Sequence, residues 1–433
     1  FFFKHETAYE MLRSLVGSEM CIRDRRKPVP PSPAAPRALS APSVRGCFAA
    51  PGLAALLFVF LLDAACAAAT LERARTPVRL PDIPGFLTLA CDFHTHTVFS
   101  DAAVWPATRV EEAWREGLDA IAITDHIEYQ PHKKDLPTNH NRPYEIAKGL
   151  GGTLGILVLR GAEITRGMPP GHINAIFLED CAKLETKEWR DAVKAAHAQG
   201  AFIFWNHPCW IAQQPDGVGR WYDEHTELLA AGMLHGIEVF NHRTYCPEAH
   251  RWAVEKNLTH LANSDTHAPI LLEYDVHAGD RRPTTLVFAK ERTEEGLREA
   301  LFARRTAAWA EGRIFGSAEL LRPVFARSIE IKNPRIQIVR KGRAWVQIHN
   351  ASEVRYELEA AEPAGAEESS AGLSVPKAAS LPAGKTVLFP ISGVSDEAAG
   401  SRSYRLPYRV KNLLTAPNEG LRVTIDLEVT FAR

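Results

Sequence analysis

From residue 86 to residue 310 the chain repeats one pattern, an apolar β-type run followed by an amphipathic helical segment. The strand-forming runs are FLTLACDFH (86–94), AIAIT (120–124), ILVLRGAEI (156–164), HINAIFL (172–178), AFIFWN (201–206), GIEVFN (236–241), HLANS (260–264) and TTLVFA (284–289). Between them lie segments such as ATRVEEAWREGL (107–118), KEWRDAVKAAHAQ (187–199) and EEGLREALFARR (294–305). Strands apolar on both faces need cover on both faces, which a parallel sheet wrapped in helices supplies. This many units predicts an α/β barrel, with an open doubly wound sheet as the alternative. No GxGxxG follows the first run, so the dinucleotide-binding fingerprint is missing.

After about residue 326 the pattern shifts to short alternating strands, among them RAWVQIHN, KTVLFPISG and LRVTIDLEVTF, separated by Gly/Pro/Ser/Ala-rich turns. Residues 326–433 therefore read as a small all-β sandwich following a barrel over 86–315. The sandwich carries one histidine, His349, and no evident chemistry.

The beginning of the chain is set apart. Residues 1–45 lack apolar periodicity, and SLVGSEMCIRDR resembles a translated sequencing adapter, so this stretch reads as a non-native or disordered leader. Arg45, the apolar run CFAAPGLAALLFVFLL (47–62) and DAACAAAT then have the layout of a secretory signal peptide over 46–69. The run is shorter than the roughly 20 residues a membrane span needs, so no integral span is expected after cleavage. A lipid anchor at Cys66 is disfavoured by Asp63, which stands where an aliphatic residue is wanted. The expected location is the periplasm or outside the cell.

Charge narrows the partners. The first 69 residues hold 8 of the 51 basic and 5 of the 52 acidic residues, leaving 43 against 47 in the body. A mildly acidic body without a dense basic run argues against general nucleic-acid binding. Cys91, Cys181, Cys209 and Cys246 show no CxxC spacing and read as isolated buried thiols, neither a disulfide framework nor a thiolate zinc site.

Fourteen of the 17 histidines fall between residues 94 and 267, and the informative ones sit at strand ends. The first run ends in CDFHTHTVFSD, with His94 and His96 two apart and Asp101 five residues on. Residues two apart on a strand share a face, so the two imidazoles converge on one point. Asp125 and His126 end the second run, Glu163 the third, His207 follows the fifth, and Asp265 and His267 end the seventh. In an α/β barrel the C-terminal strand ends face one mouth, so these groups share a pocket. His172 begins its run and fits this rule least well. Asp125 reads as a loop-capping carboxylate, and Glu238 as structural or substrate-facing. His132, His140, His225, His242 and His250 read as solvated, His197 and His235 as helix-end or packing residues. Tyr129, Lys133 and Arg142 in the 128–145 loop are candidate phosphate contacts.

The set HxH (His94, His96), Asp101, His126, Glu163, His172, His207 and the final DxH (Asp265, His267) resembles that of the PHP (polymerase and histidinol phosphatase) superfamily of metallohydrolases. The resemblance implies a distorted (β/α)7 barrel. It also implies two or three divalent ions, of manganese, zinc or iron. His94, His96, Glu163 and Asp265 would hold one; Glu163, His172 and His207 a second; Asp101, His126 and His267 a third. Nitrogen and oxygen donors without thiolate suit these ions without choosing among them. Within the superfamily, VWPATRVEEAWREGLDAIAITDHIEYQPHKKD resembles an exported group of phosphodiesterases that includes an organophosphate-diester hydrolase.

The expected activity is hydrolysis of a small-molecule phosphate diester. Paired ions would activate a water towards phosphorus and neutralise the charge that develops there. Glu163 and Asp265 would position the ions, and His267 is the candidate general acid if no third ion is bound. Hydrolysis of a carbamate or carboxylic ester on the same centre is the alternative. A non-catalytic metal-binding module is a weaker one, since a structural site needs only one closed ion. The oligomeric state is left open.

Overall fold

The computed structural model describes residues 75–432 apart from 366 and 395–398, so the segments expected to be a leader (1–45) and a signal peptide (46–69) lie outside the described residues. Every predicted barrel strand forms: β1 (Leu87–Thr95), β2 (Ala120–Ile123), β3 (Leu157–Ile164), β4 (Ile173–Ile176), β5 (Phe202–Trp205), β6 (Gly236–Asn241), a short return strand β7 (Thr244–Tyr245), β8 (Thr259–Asn263) and β9 (Thr284–Ala289). The covering helices are α1 (Pro106–Arg115), α2 (Arg142–Leu154), α3 (Trp189–Ala198), α4 (Asp223–Ala230), α5 (Pro247–Glu255) and α6 (Glu294–Phe302). Their limits are chemical. Pro106 opens α1, where a missing N–H costs nothing. Gly155, at φ 69°, closes α2 in the left-handed conformation. Thr293 caps α6 by accepting from Gly296 N.

The sheet runs β1-β2-β3-β4-β5-β6-β8, and a parallel bridge between Thr95 and Thr266 closes it into a seven-stranded barrel. The expected all-parallel sheet is corrected at β4 within the barrel and again at β9, which runs antiparallel to β1. β4 runs antiparallel to both β3 and β5, whereas β1/β2, β2/β3, β5/β6 and β6/β8 are parallel. The eight residues between Ile164 and Ile173 are too few for the helical crossover that a parallel return requires. The reversal puts the N-terminal end of β4 at the mouth, and His172 with it.

β9 pairs antiparallel with the lower half of β1 and continues through β10 (Thr306–Ala310) and β11 (Arg313–Phe315). After α7 (Ala318–Ser328) the chain forms the all-β region. One of its sheets contains β12 (Ile329–Ile331), β14 (Arg343–Asn350), β18 (Thr386–Gly393) and β16 (Leu373–Ser374). The other is built on the long hairpin β19 (Gly400–Ala416) and β20 (Glu419–Ala432), with β13 (Arg335–Val339) beside β20 and β15 (Tyr356–Ala360) between β19 and β17 (Ala378–Leu381). The sandwich is joined to the barrel more closely than a linker would allow. β11 pairs parallel with β19, and one apolar core unites Leu286, Phe288 and Trp309 with Tyr356, Val410 and Leu421. Among the described residues no helix is long and apolar enough to cross a membrane.

Candidate metal centre

The barrel interior is layered. Leu89, Cys91, Ala120, Ala122, Leu159, Phe202, Phe204 and Leu261 fill its lower part. Polar side chains take over at the mouth, and a bulge in β1 effects the change. Asp92 aligns with Ile121 but Thr95 with Ile123, so β1 carries one extra residue. The shift in alternation brings His94 and His96 to the inner face that Cys91 occupies lower down, as bulges beside functional sites do.

There His94 Nε2 stands 3.0 Å from His96 Nε2, 3.0 Å from Glu163 Oε2 and 3.1 Å from Asp265 Oδ1. His96 Nε2 is 3.2 Å from Glu163 Oε2 and 3.0 Å from Asp265 Oδ1. A second group forms around Asp101, whose Oδ1 lies 3.4 Å from His126 Nε2 and 3.2 Å from His267 Nε2, with His96 alongside. A third joins His126, Glu163 and His172. Glu163 thus stands between groups: Oε2 faces His94, His96 and His126, while Oε1 lies against His172 Nδ1.

Two contacts fall outside the expected grouping. His126 shares Glu163 with His172, and His207 stands at the edge. The His207 ring centroid lies 4.9 Å from that of His172, and its Nε2 lies 3.9 Å from Asp265 Oδ2. His207 and Asp265 also have left-handed backbones, at φ 31° and 52°. Such conformations persist where the surroundings over-determine them. Glu238 Oε2 holds the His207 N–H at 2.7 Å, and His94 O holds the Asp265 N–H at 2.9 Å.

The electrostatics are those of a cation site. Burial would raise the Asp265 and Glu163 carboxyls, yet the surrounding imidazoles hold both well below the ordinary range. Burial would lower His94 and His267, yet neighbouring carboxylates raise His94 well above its ordinary value and His267 to about 9. Burial and the neighbouring His172 bring His207 down to about 3, leaving it neutral and able to ligate. Asp101 Oδ1, Glu163 Oε1, His172 Nδ1 and His207 Nδ1 are buried without a hydrogen-bond partner, an arrangement that is costly unless something else binds them. Asp101, Glu163 and His172 offer nitrogen and oxygen atoms crowded within ligand distance of the neighbouring imidazoles, with the His207 ring beside His172, a donor set that fits divalent ions.

Support for the ligands comes from residues with weaker sequence signals. Glu238 is buried, and burial holds its pKa above the ordinary value, opposite to Glu163 and Asp265. It accepts from His94 Nδ1 at 2.8 Å, Asn263 Nδ2 at 2.9 Å and Asn241 Nδ2 at 2.8 Å. Its inward position on β6 was the available clue, and both its oxygens are engaged, by His94, Asn263, Asn241 and the His207 N–H. Thr165 Oγ1 lies 2.6 Å from His126 Nδ1, and His267 Nδ1 donates to Asp265 O at 2.7 Å, so each imidazole turns Nε2 to the centre. Asp125 is the capping carboxylate expected, accepting from Thr97 N, Thr97 Oγ1 and Ser100 Oγ, each at 2.6 Å.

Other expectations change. Cys91 and Cys181 are buried free thiols, but Cys209 and Cys246 form a disulfide across 37 residues. Their spacing hides this, because only the neighbouring of β5 and β6 brings the segments that follow them together. His225 and His250 are buried rather than solvated: His225 stacks on Trp205, and His250 packs beside Tyr245 and Phe315. Arg142 is engaged by Glu145 and Lys133 is exposed, whereas the Tyr129 ring reaches His126.

Fold and site together define a class, an α/β barrel with several candidate metal-binding groups of nitrogen and oxygen donors at its mouth. Residues 92–266 match the PHP domain, and residues 329–426 match an Ig-like domain. A crystal structure from Bacteroides vulgatus, described as a two-domain protein containing a predicted PHP-like metal-dependent phosphoesterase, is 42% identical. The alignment covers 82% of this chain and 99% of that one, with a TM-score of 0.76. An uncharacterized protein of Methanocaldococcus jannaschii is 39% identical over 82 residues, which are 19% of this chain and 36% of that protein. The chain therefore spans little more than a third of that relative. It belongs to the PHP family.

Proposed function

We propose that this chain is an exported metal-dependent phosphoesterase that hydrolyses phosphate diesters of small organic molecules. The observation that carries the reading is the set of buried, hydrogen-bond-orphaned donor atoms on Asp101, Glu163, His172 and His207, ringed by imidazoles at the barrel mouth. The description of the Bacteroides relative as a phosphoesterase supports the reaction class. The resemblance of 104–135 to exported phosphodiesterases supports the choice of diester.

His94, His96, Glu163 and Asp265 would hold one ion, Asp101, His126 and His267 with His96 another, and His172 with Glu163, His126 and nearby His207 the remaining position. Bound divalent ions supply Lewis acidity, lowering the pKa of water and neutralising phosphoryl oxygens. The chain's own groups do the rest. Glu163 fixes the spacing of the groups with its two oxygens. Asp265, anionic and partly open to the mouth, would help hold an ion and orient the attacking water. His267, also open at the mouth, is oriented through Asp265 O and would serve the leaving oxygen only where it does not ligate an ion.

The disulfide Cys209–Cys246 agrees with export, since such bonds persist in oxidising compartments. The test is turnover of bis(p-nitrophenyl) phosphate, p-nitrophenyl phosphate and p-nitrophenyl acetate by protein loaded with manganese or zinc. Diester turnover above monoester turnover is expected. Activity on the acetate alone would replace the reading with a carboxylic ester hydrolase.

A further inference from the structure

Two aromatic side chains stand at the mouth of the centre with half their surface in solvent. Tyr129 is 50% exposed and Trp210 is 42% exposed. Each lies against a candidate ligand. The Tyr129 ring centroid is 6.0 Å from that of His126, and the Trp210 centroid is 5.4 Å from His172 and 5.1 Å from His207. His126 and His172 are themselves 5.9 Å apart, so one run of ring contacts passes along the edge of the centre from Tyr129 to Trp210. A single exposed apolar side chain is ordinary on a protein surface. Two that end the same arc of ligand imidazoles are placed by the site.

Both rings are carried on fastened segments. Trp210 follows the disulfide-bonded Cys209, and its carbonyl accepts from Gln213 N and Gln214 N. Tyr129 lies between two anchored neighbours: Glu128 accepts from Thr165 N and pairs with Arg166, and Gln130 accepts from Thr138. Arg166 also ties the two segments to each other, because its carbonyl accepts from Gln213 Nε2 at 2.9 Å. Preorganised aromatic faces beside a charged centre suit a ligand with one anionic end and one flat apolar end.

Resting on the phosphoesterase reading, we infer that Tyr129 and Trp210 form a recognition rim that selects phosphoesters bearing a flat aryl group. The anionic phosphoryl group goes to the centre, and the ring of its ester stacks on the rim. An aliphatic ester of similar size gains burial there but no stacking. Each stacked ring is worth about a twofold to tenfold difference in affinity.

The experiment is isothermal titration calorimetry of the metal-loaded full chain with phenylphosphonate and ethylphosphonate, which cannot be hydrolysed and so report binding free of leaving-group reactivity. Phenylphosphonate should bind about tenfold more tightly. Trp210→Ala should abolish most of that preference and Trp210→Phe retain part of it, while metal content stays at the wild-type level. Tyr129→Leu is the independent second variant and should lower the preference several-fold. Equal affinities in the wild type, or a preference that survives the Trp210→Ala/Tyr129→Leu double substitution, would overturn the inference and leave the phosphoesterase reading standing. Failure of both phosphonates to bind, with no ester turned over, would overturn that reading and the inference with it.

Discussion

Glu238 fixes the orientation of His94. Its Oε1 accepts from His94 Nδ1 at 2.8 Å, which leaves Nε2 facing Glu163 and Asp265. The other oxygen of the same carboxylate holds the backbone N–H of His207 at 2.7 Å. One buried side chain thereby supports candidate ligands on two strands.

Replacing Glu238 with Gln keeps the shape but offers an amide where two acceptors are needed. Metal affinity should fall about 10–100-fold with the fold retained. Competition titration against a chromogenic chelator measures it, and wild-type affinity in the variant would show that Glu238 is only a packing group.

Asp125 gathers Thr97 N, Thr97 Oγ1 and Ser100 Oγ and so shapes the turn that leads to Asp101. Asp125→Ala leaves those buried donors unsatisfied, at about 1–3 kcal/mol each before relaxation. Urea denaturation should show a loss of at least ~2 kcal/mol. An unchanged midpoint would mean that water satisfies the turn.

The Cys209–Cys246 bond closes a loop across 37 residues. Chain-entropy arguments put its contribution at about 2–4 kcal/mol. The Cys209→Ser/Cys246→Ser chain should have a correspondingly lower urea midpoint, and reductant should lower that of the wild type but not of the variant. Insensitivity of the wild type to reductant would contradict the pairing.

Burial brings His225 and His260 down to about 4, and burial with the nearby His260 brings His250 down to about 3. These groups fold neutral, and the unfolded chain takes up protons first. Their stabilisation is complete above the unfolded value near ~6.5 and is lost as pH falls from there towards the folded values. His250→Gln should therefore reduce the stability difference between pH 7 and pH 5 by about 2 kcal/mol. Parallel stability curves for variant and wild type would show that His250 titrates normally.

Much of this molecule was legible in its sequence, because both-face apolar runs and strand-end polar residues report directly on a barrel and its mouth. Every barrel strand and the convergence of His94, His96, Asp101, His126, Glu163, Asp265 and His267 followed from that pattern. Less legible was whatever depends on neighbours across the sheet. The antiparallel turn of β4 that brings His172 to the mouth is set by a short connection, not by the strand's own composition. The β1 bulge, the Glu238 hydrogen bonds and the Cys209–Cys246 pairing each join residues far apart in sequence. The sharing of one core by barrel and sandwich was equally hidden, since strand alternation looks alike whatever packs against it.

The central claim is that the strand-end cluster holds catalytic divalent ions. Elemental analysis of wild type and Asp265→Ala, with diester turnover assayed on the same samples, tests it most directly. The account predicts two or three ions per wild-type chain, fewer in the variant, and turnover that falls at least about a hundredfold, the order expected when a group central to charge stabilisation is removed. An Asp265→Ala chain with full metal content and full activity would contradict it.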